Sequence, residues 1–124
     1  MKRSVLLVEH SKAVGEKIRI SGGGRCNFTN LDCGPGQFLS HNKHFCISAL
    51  NQYTAQDFIS LVELHAIAYH EKTLGQLFCD GSSKEIIELL KAEMANGGVE
   101  IRLQTEVRKI EKNEPGFGLF IGSA

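Results

Sequence analysis

At 124 residues the chain has the length of a single domain, roughly 100–150 residues, which excludes two complete enzyme domains. Fourteen Lys and Arg balance fourteen Asp and Glu, so the net charge carries no footprint of a nucleic-acid binder, and no nucleic-acid partner is expected. The longest apolar run, Val5-Leu6-Leu7-Val8, falls far short of the ~18 residues of a membrane-spanning helix, and no apolar leader follows the basic start; the expectation is a soluble, cytoplasmic chain with no membrane partner.

Ser4 to Val8 is a short continuous apolar run closed by Glu9, as in a parallel strand buried on both faces. From His10 to about Gly36 the sequence is glycine-rich and without sustained periodicity, and it is read as a long functional loop that wraps a ligand. Phe45, Ile47, Ala49 and Leu50 suggest a modest helix over about Asn42 to Gln52. Thr54 then stands as an N-cap with Asp57 three residues on, opening a helix over 55–65. Ile67–Glu71 and Gln76–Cys79, joined through Thr73-Leu74-Gly75, read as a hairpin.

Ser82-x-x-Glu85 is a capping-box pattern directly before an apolar helical stripe, which predicts a helix over about 84–96 ended by Gly97-Gly98. Alternation then predicts strands at Val99–Leu103, Glu106–Glu111 and Phe117–Ile121, with a turn at Pro115-Gly116. The order suits an α/β nucleotide-binding core carrying an antiparallel β appendage.

Four cysteines, Cys26, Cys33, Cys46 and Cys79, are read as reduced thiols, and their spacing from His41 and His44 supports no tetrahedral metal site. No metal is expected. Cys26 adjoins Arg25, which would lower its thiol pKa, but its simpler role is that of a small packing residue. His65 and His70 lack a carboxylate and nucleophile at triad spacing, so no catalytic residue is identified.

Two features point to a ligand. Glu9 closes the first strand, where dinucleotide-binding folds place an acid whose two oxygens accept the ribose hydroxyls. Ser21-Gly22-Gly23-Gly24-Arg25 lets backbone N–H groups approach an anion closely, with Lys17, Arg19, Arg25, Asn27, Thr29 and Asn30 supplying further donors nearby.

The stretch Gly15-Glu16-Lys17-Ile18-Arg19-Ile20-Ser21-Gly22-Gly23-Gly24-Arg25-Cys26-Asn27-Phe28-Thr29-Asn30 resembles the signature of the YhiN/BaiN-like NAD(P)/FAD-dependent oxidoreductases of bacteria. The resemblance continues through His70–Asp80 and the Thr105-Glu106-Val107 strand. It implies a partial Rossmann-type FAD-binding domain over residues 1–124, with FAD as cofactor, NAD(P)H as electron donor and a small organic molecule as substrate. Residue by residue it implies that Glu9 holds the adenosine ribose. Lys17, Ser21, Gly22, Gly23, Arg25, Cys26 and Asn27 run along the FAD, and Val107 contacts the adenine through its backbone. Relative to that family the N-terminal G-x-G-x-x-G segment and the later half are missing, so the chain alone is expected to be inactive and to need a complementing fragment. The alternative is a non-catalytic α/β module that binds a nucleotide or another anion.

Overall fold

A computed structural model describes residues 3–123. The chain divides into two compact units, one made of the segment up to Glu16 together with Leu90 onward, the other of Lys17–Leu89.

In the first unit, β1 (Leu6–Val8) pairs in parallel with β5 (Glu100–Arg102), Leu7 opposite Ile101. The ladder extends past both ends through Glu100 N–H to Val5 O at 3.0 Å and Glu9 N–H to Arg102 O at 2.9 Å. The parallel strand is as predicted, but its burial on both faces is not: Val5 and Leu6 are 51% and 42% exposed. A two-stranded sheet gives each strand only one neighbour, and apolar side chains at its rim stay in water. The antiparallel appendage is a long hairpin of β6 (Thr105–Asn113) and β7 (Gly116–Ser123). A register shift between Val107 and Lys109 marks a bulge at Arg108, which bends the strand beside Val107.

The second unit holds all the buried apolar side chains among the described residues: Cys26, Ile59, Val62, Leu77, Phe78, Cys79, Ile86, Ile87 and Leu89. Its sheet has the order β2 (Asn27–Asn30), β4 (Gln76–Cys79), β3 (Tyr69–Glu71), every pair antiparallel. The β3–β4 hairpin is the predicted one. Two helices are also close to prediction. In α3 (Ala55–Leu64) the Thr54 Oγ1 accepts Asp57 N–H at 3.2 Å while Asp57 accepts Thr54 N–H at 2.7 Å, a reciprocal cap. Phe58 of α3 meets Phe28 of β2 edge-on, ring centroids 6.0 Å apart. In α4 (Ser83–Asn96) Glu85 accepts Ser82 N–H at 2.9 Å, and beyond the helix Val99 N–H returns to Met94 O at 2.9 Å. Ser83, 2% exposed, donates its hydroxyl to Arg19 O at 2.9 Å, joining the start of the unit to its end.

Two expectations change. The stretch His10–Gly36 is not one long loop, because it contains α1 (Glu16–Ile20), a 3-10 turn at Ser21–Gly24, strand β2 and a second 3-10 turn at Pro35–Gln37. Asn27–Asn30 carries only one large apolar residue, and pairing with β4 makes it a strand where its own pattern does not. The helix foreseen from Asn42 is confined to α2 (Ile47–Gln52). The Asn42 side chain accepts His44 N–H at 3.1 Å, and this local turn competes with helix formation before Ile47.

Candidate functional site

Glu9 and Val107, nearly a hundred residues apart in sequence, line the same cleft. Glu9 leaves β1 on the far side of its last paired residue, and its carbonyl accepts Thr105 N–H at 3.0 Å, which brings the start of β6 alongside. The cleft measures about 450 Å³ and is lined by Val8, Glu9, His10, Thr105, Glu106 and Val107. One carboxylate oxygen of Glu9 accepts Ser11 N–H at 2.8 Å and lies 3.3 Å from His10 Nδ1. The Ser11 hydrogen bond, with a smaller pull from His10, holds the Glu9 pKa below its ordinary 4.5. Two carboxylates in one cleft accept hydrogen bonds from hydroxyl or amino groups and repel phosphate, so the chemistry suits a nucleoside better than a phosphate.

The glycine loop belongs to the other unit and carries the opposite charge. Lys17 and Arg25 are exposed. Gly22 lies at φ +57°, where a β-carbon would stand 2.5 Å from Phe78 Cε1 and 3.0 Å from Asn27 N; beyond Gly23 and Gly24 such an atom would meet nothing within 4 Å. The turn is thus pressed onto the sheet at its first glycine and open to solvent at the next two, leaving backbone accessible to an anion.

Cys26 faces inward, whereas Asn27 is exposed and turns its side-chain amide back onto the strand backbones. Cys26 is 4% exposed, and burial pushes its thiol pKa up, overriding the lowering expected from adjacent Arg25. Asn27, with its amide nitrogen turned to the sheet, donates to Leu77 O at 3.1 Å and Thr29 O at 2.9 Å. Buried Cys79 is pushed up to about 11, first by burial and then by Cys26 and Glu85 nearby. Both thiols are expected to resist alkylation at pH 8 in the folded chain while the partly exposed Cys33 and Cys46 react, as counted by mass spectrometry after iodoacetamide. In the unfolded chain these thiols ionise near 9.0 while folded Cys79 keeps its proton, so stability falls as pH rises from 9.0 toward about 11.

The sequence reading missed one pair. His70 Nδ1 lies 2.6 Å from Asp80 Oδ1, with the imidazole stacked on Phe78 at 6.5 Å and Lys72 Nζ 4.3 Å from the centre of the same ring. The signal was in the hairpin: with His70 opposite Phe78, residue 80 falls diagonally across on the same face. Both partners are half exposed, so the pair is worth at most about 1 kcal/mol to stability. Among the described residues no three His, Cys, Asp or Glu side chains gather to hold a metal ion, and no helix is long and apolar enough to cross a membrane.

Two curated relatives are both named ribosomal RNA dihydrouridine synthase. The protein of Escherichia coli K12 is 56% identical over 117 residues, which cover 94% of this chain and 29% of that protein. The protein of Haemophilus influenzae is 51% identical over 110 residues, 89% of this chain and 27% of its own length. The chain therefore spans less than a third of the relatives it matches. The family model of the HI0933-like protein Rossmann domain matches residues 1–122. With its mixed helices and strands and a parallel pair closed by Glu9, the chain belongs to the HI0933-like Rossmann-domain family, a flavoprotein-type α/β family.

Proposed function

We propose that the Glu9–Val107 cleft receives the adenosine half of FAD, in a protein that transfers reducing equivalents from NAD(P)H to a uridine of ribosomal RNA. The observation that carries the first part is the meeting of Glu9 and Val107 in one cleft whose charge suits hydroxyl and amino donors. Glu9 takes the ribose hydroxyls on its carboxylate, fixed in rotation by Ser11 N–H, and the bulged strand at Val107 offers backbone groups to the adenine edge. Lys17, Ser21, Gly22, Gly23 and Arg25 form, within their own unit, a candidate anion-binding turn by their charge and by the open backbone at the loop. Cys26 supports that loop from within, and the exposed Asn27 ties its side chain to the backbone of Leu77 and Thr29.

The substrate class comes from the names of the two relatives. Dihydrouridine differs from uridine by one hydride and one proton added across a ring double bond, and bound flavin supplies the hydride. The organic acceptor expected from the sequence thus becomes a pyrimidine base.

Titration of the purified chain with FAD, and with AMP as a probe of the adenosine half, tests the site. AMP is expected to compete with FAD, and Glu9→Gln to weaken both by about 10-fold or more, the loss of one charge-assisted hydrogen bond. Because Glu9 stays ionised below 4.5, its share of AMP affinity, read as the ratio between the unaltered chain and Glu9→Gln so that the ligand's own titration cancels, should hold level from pH 8 to about pH 5 and fall only as the pH passes through the lowered pKa. AMP binding indifferent to Glu9→Gln would remove the cleft from the cofactor site.

A further inference from the structure

Between Asp32 and Asp57 the sequence has no carboxylate, and the middle of that stretch carries His41, Lys43 and His44. The same segment holds apolar side chains out in water: Leu39 is 99% exposed, Phe45 80% and Phe38 48%. Exposed apolar side chains on a loop cost hydration free energy unless something covers them, and here Phe38 and Phe45 bracket one lysine and two histidines.

The loop is shaped all the same. Asn42 N–H donates to Ser40 Oγ at 3.2 Å, His44 N–H to Asn42 Oδ1 at 3.1 Å and Phe45 N–H to Asn42 O at 3.2 Å. Beside it opens a cleft of about 430 Å³, whose walls include Phe38, Leu39, Ser40, Lys43, His44 and Ile47. That volume accommodates a nucleobase with room to spare, and its walls pair apolar faces with a permanent cation.

Exposed aromatic faces beside a cation, in a stretch free of acids, suit unpaired RNA: bases stack on rings while a phosphate meets the positive charge. We infer that the Phe38–Phe45 loop is a contact surface for single-stranded RNA, with Phe45 stacking on a base and Lys43 set against a phosphate. The inference rests on the RNA half of the function proposed above. It also revises what net charge alone suggested, since a neutral chain can still set a lysine beside exposed rings in a segment that has no acid.

The test titrates the full chain with a fluorescein-labelled, uridine-rich single strand of about 20 nucleotides. The same strand annealed to its complement, and vesicles of phosphatidylserine and phosphatidylcholine, serve as comparison probes. FAD titration runs in parallel. The single strand is expected to bind more tightly than the duplex. Phe45→Ala should weaken it by about 10-fold, the loss of one stacked base, and Lys43→Glu should weaken it with a shallower salt dependence. Neither variant should alter FAD affinity or the circular dichroism spectrum.

Absence of measurable RNA binding, or RNA affinity unmoved by both variants, overturns the inference. So does a dependence on Phe45 and Lys43 that appears with vesicles and not with RNA. RNA binding as expected without FAD binding leaves this surface standing and removes the cofactor reading; FAD binding without RNA binding does the reverse.

Discussion

Phe78→Ala is expected to lower folding stability by about 3–5 kcal/mol, measured as the shift in free energy from urea or thermal unfolding. Phe78 sits on β4, the central strand of its sheet, and is 7% exposed. Its ring edge fills the space beneath Gly22, and the ring also meets the His70 imidazole and the Lys72 ammonium. Truncation removes buried apolar area and leaves a cavity that a three-stranded sheet closes poorly. It also takes away the surface against which the glycine turn is pressed. Phe78→Leu keeps most of the volume and should cost less than half as much. A loss under about 1 kcal/mol for the alanine variant would mean that the ring is not central to this unit.

Gly22→Ala is expected to cost about 2–5 kcal/mol by the same measurement, combining left-handed backbone strain with overpacking. The added methyl would lie against an aromatic carbon of Phe78 and a backbone nitrogen of Asn27, and the nitrogen belongs to a paired strand that yields little. Gly23→Ala is the control. It shares the left-handed backbone, at φ +66°, but its methyl would meet nothing, so only the conformational cost of about 1 kcal/mol remains. Combining Gly22→Ala with Phe78→Ala should cost less than the two losses added, because the smaller residue at 78 makes room for the methyl. Equal costs at positions 22 and 23 would contradict the close packing of the turn on Phe78.

Much of this was legible in the residues. Thr54 with Asp57, and Ser82 with Glu85, announce helix starts because capping is chemistry between near neighbours, and both contacts form. The Gln76–Cys79 strand and its hairpin partner were equally visible, since Gly75 and alternation act locally. Strand β2 was not: Asn27-Phe28-Thr29-Asn30 has weak strand character, and its conformation comes from β4, fifty residues later. The His70–Asp80 pair is local by comparison, and the register that creates it follows from the predicted hairpin, but Asp80 lies just past the end of the strand that the sequence marks. For Cys26 the neighbour in sequence misled, because Arg25 is adjacent along the chain while burial decides the thiol's proton affinity. Glu9 and Val107 entered as separate expectations, one from strand position and one from resemblance; their shared cleft is a product of the β1–β5 pairing.

The Ser83 hydroxyl on the Arg19 carbonyl bears on the order in which the chain folds. Joining β1 to β5 directly from the unfolded chain closes a loop of roughly ninety residues, at an entropic cost of about 4 kcal/mol before any constant. Once Lys17–Leu89 has formed, Arg19 and Ser83 are already side by side, and the remaining loop shrinks to about a third of that length. The cost then falls by about 1 kcal/mol, a rate advantage of roughly fivefold for closing the parallel pair second. The Glu9–Val107 cleft depends on that pair, so loop entropy favours its assembly after the apolar core.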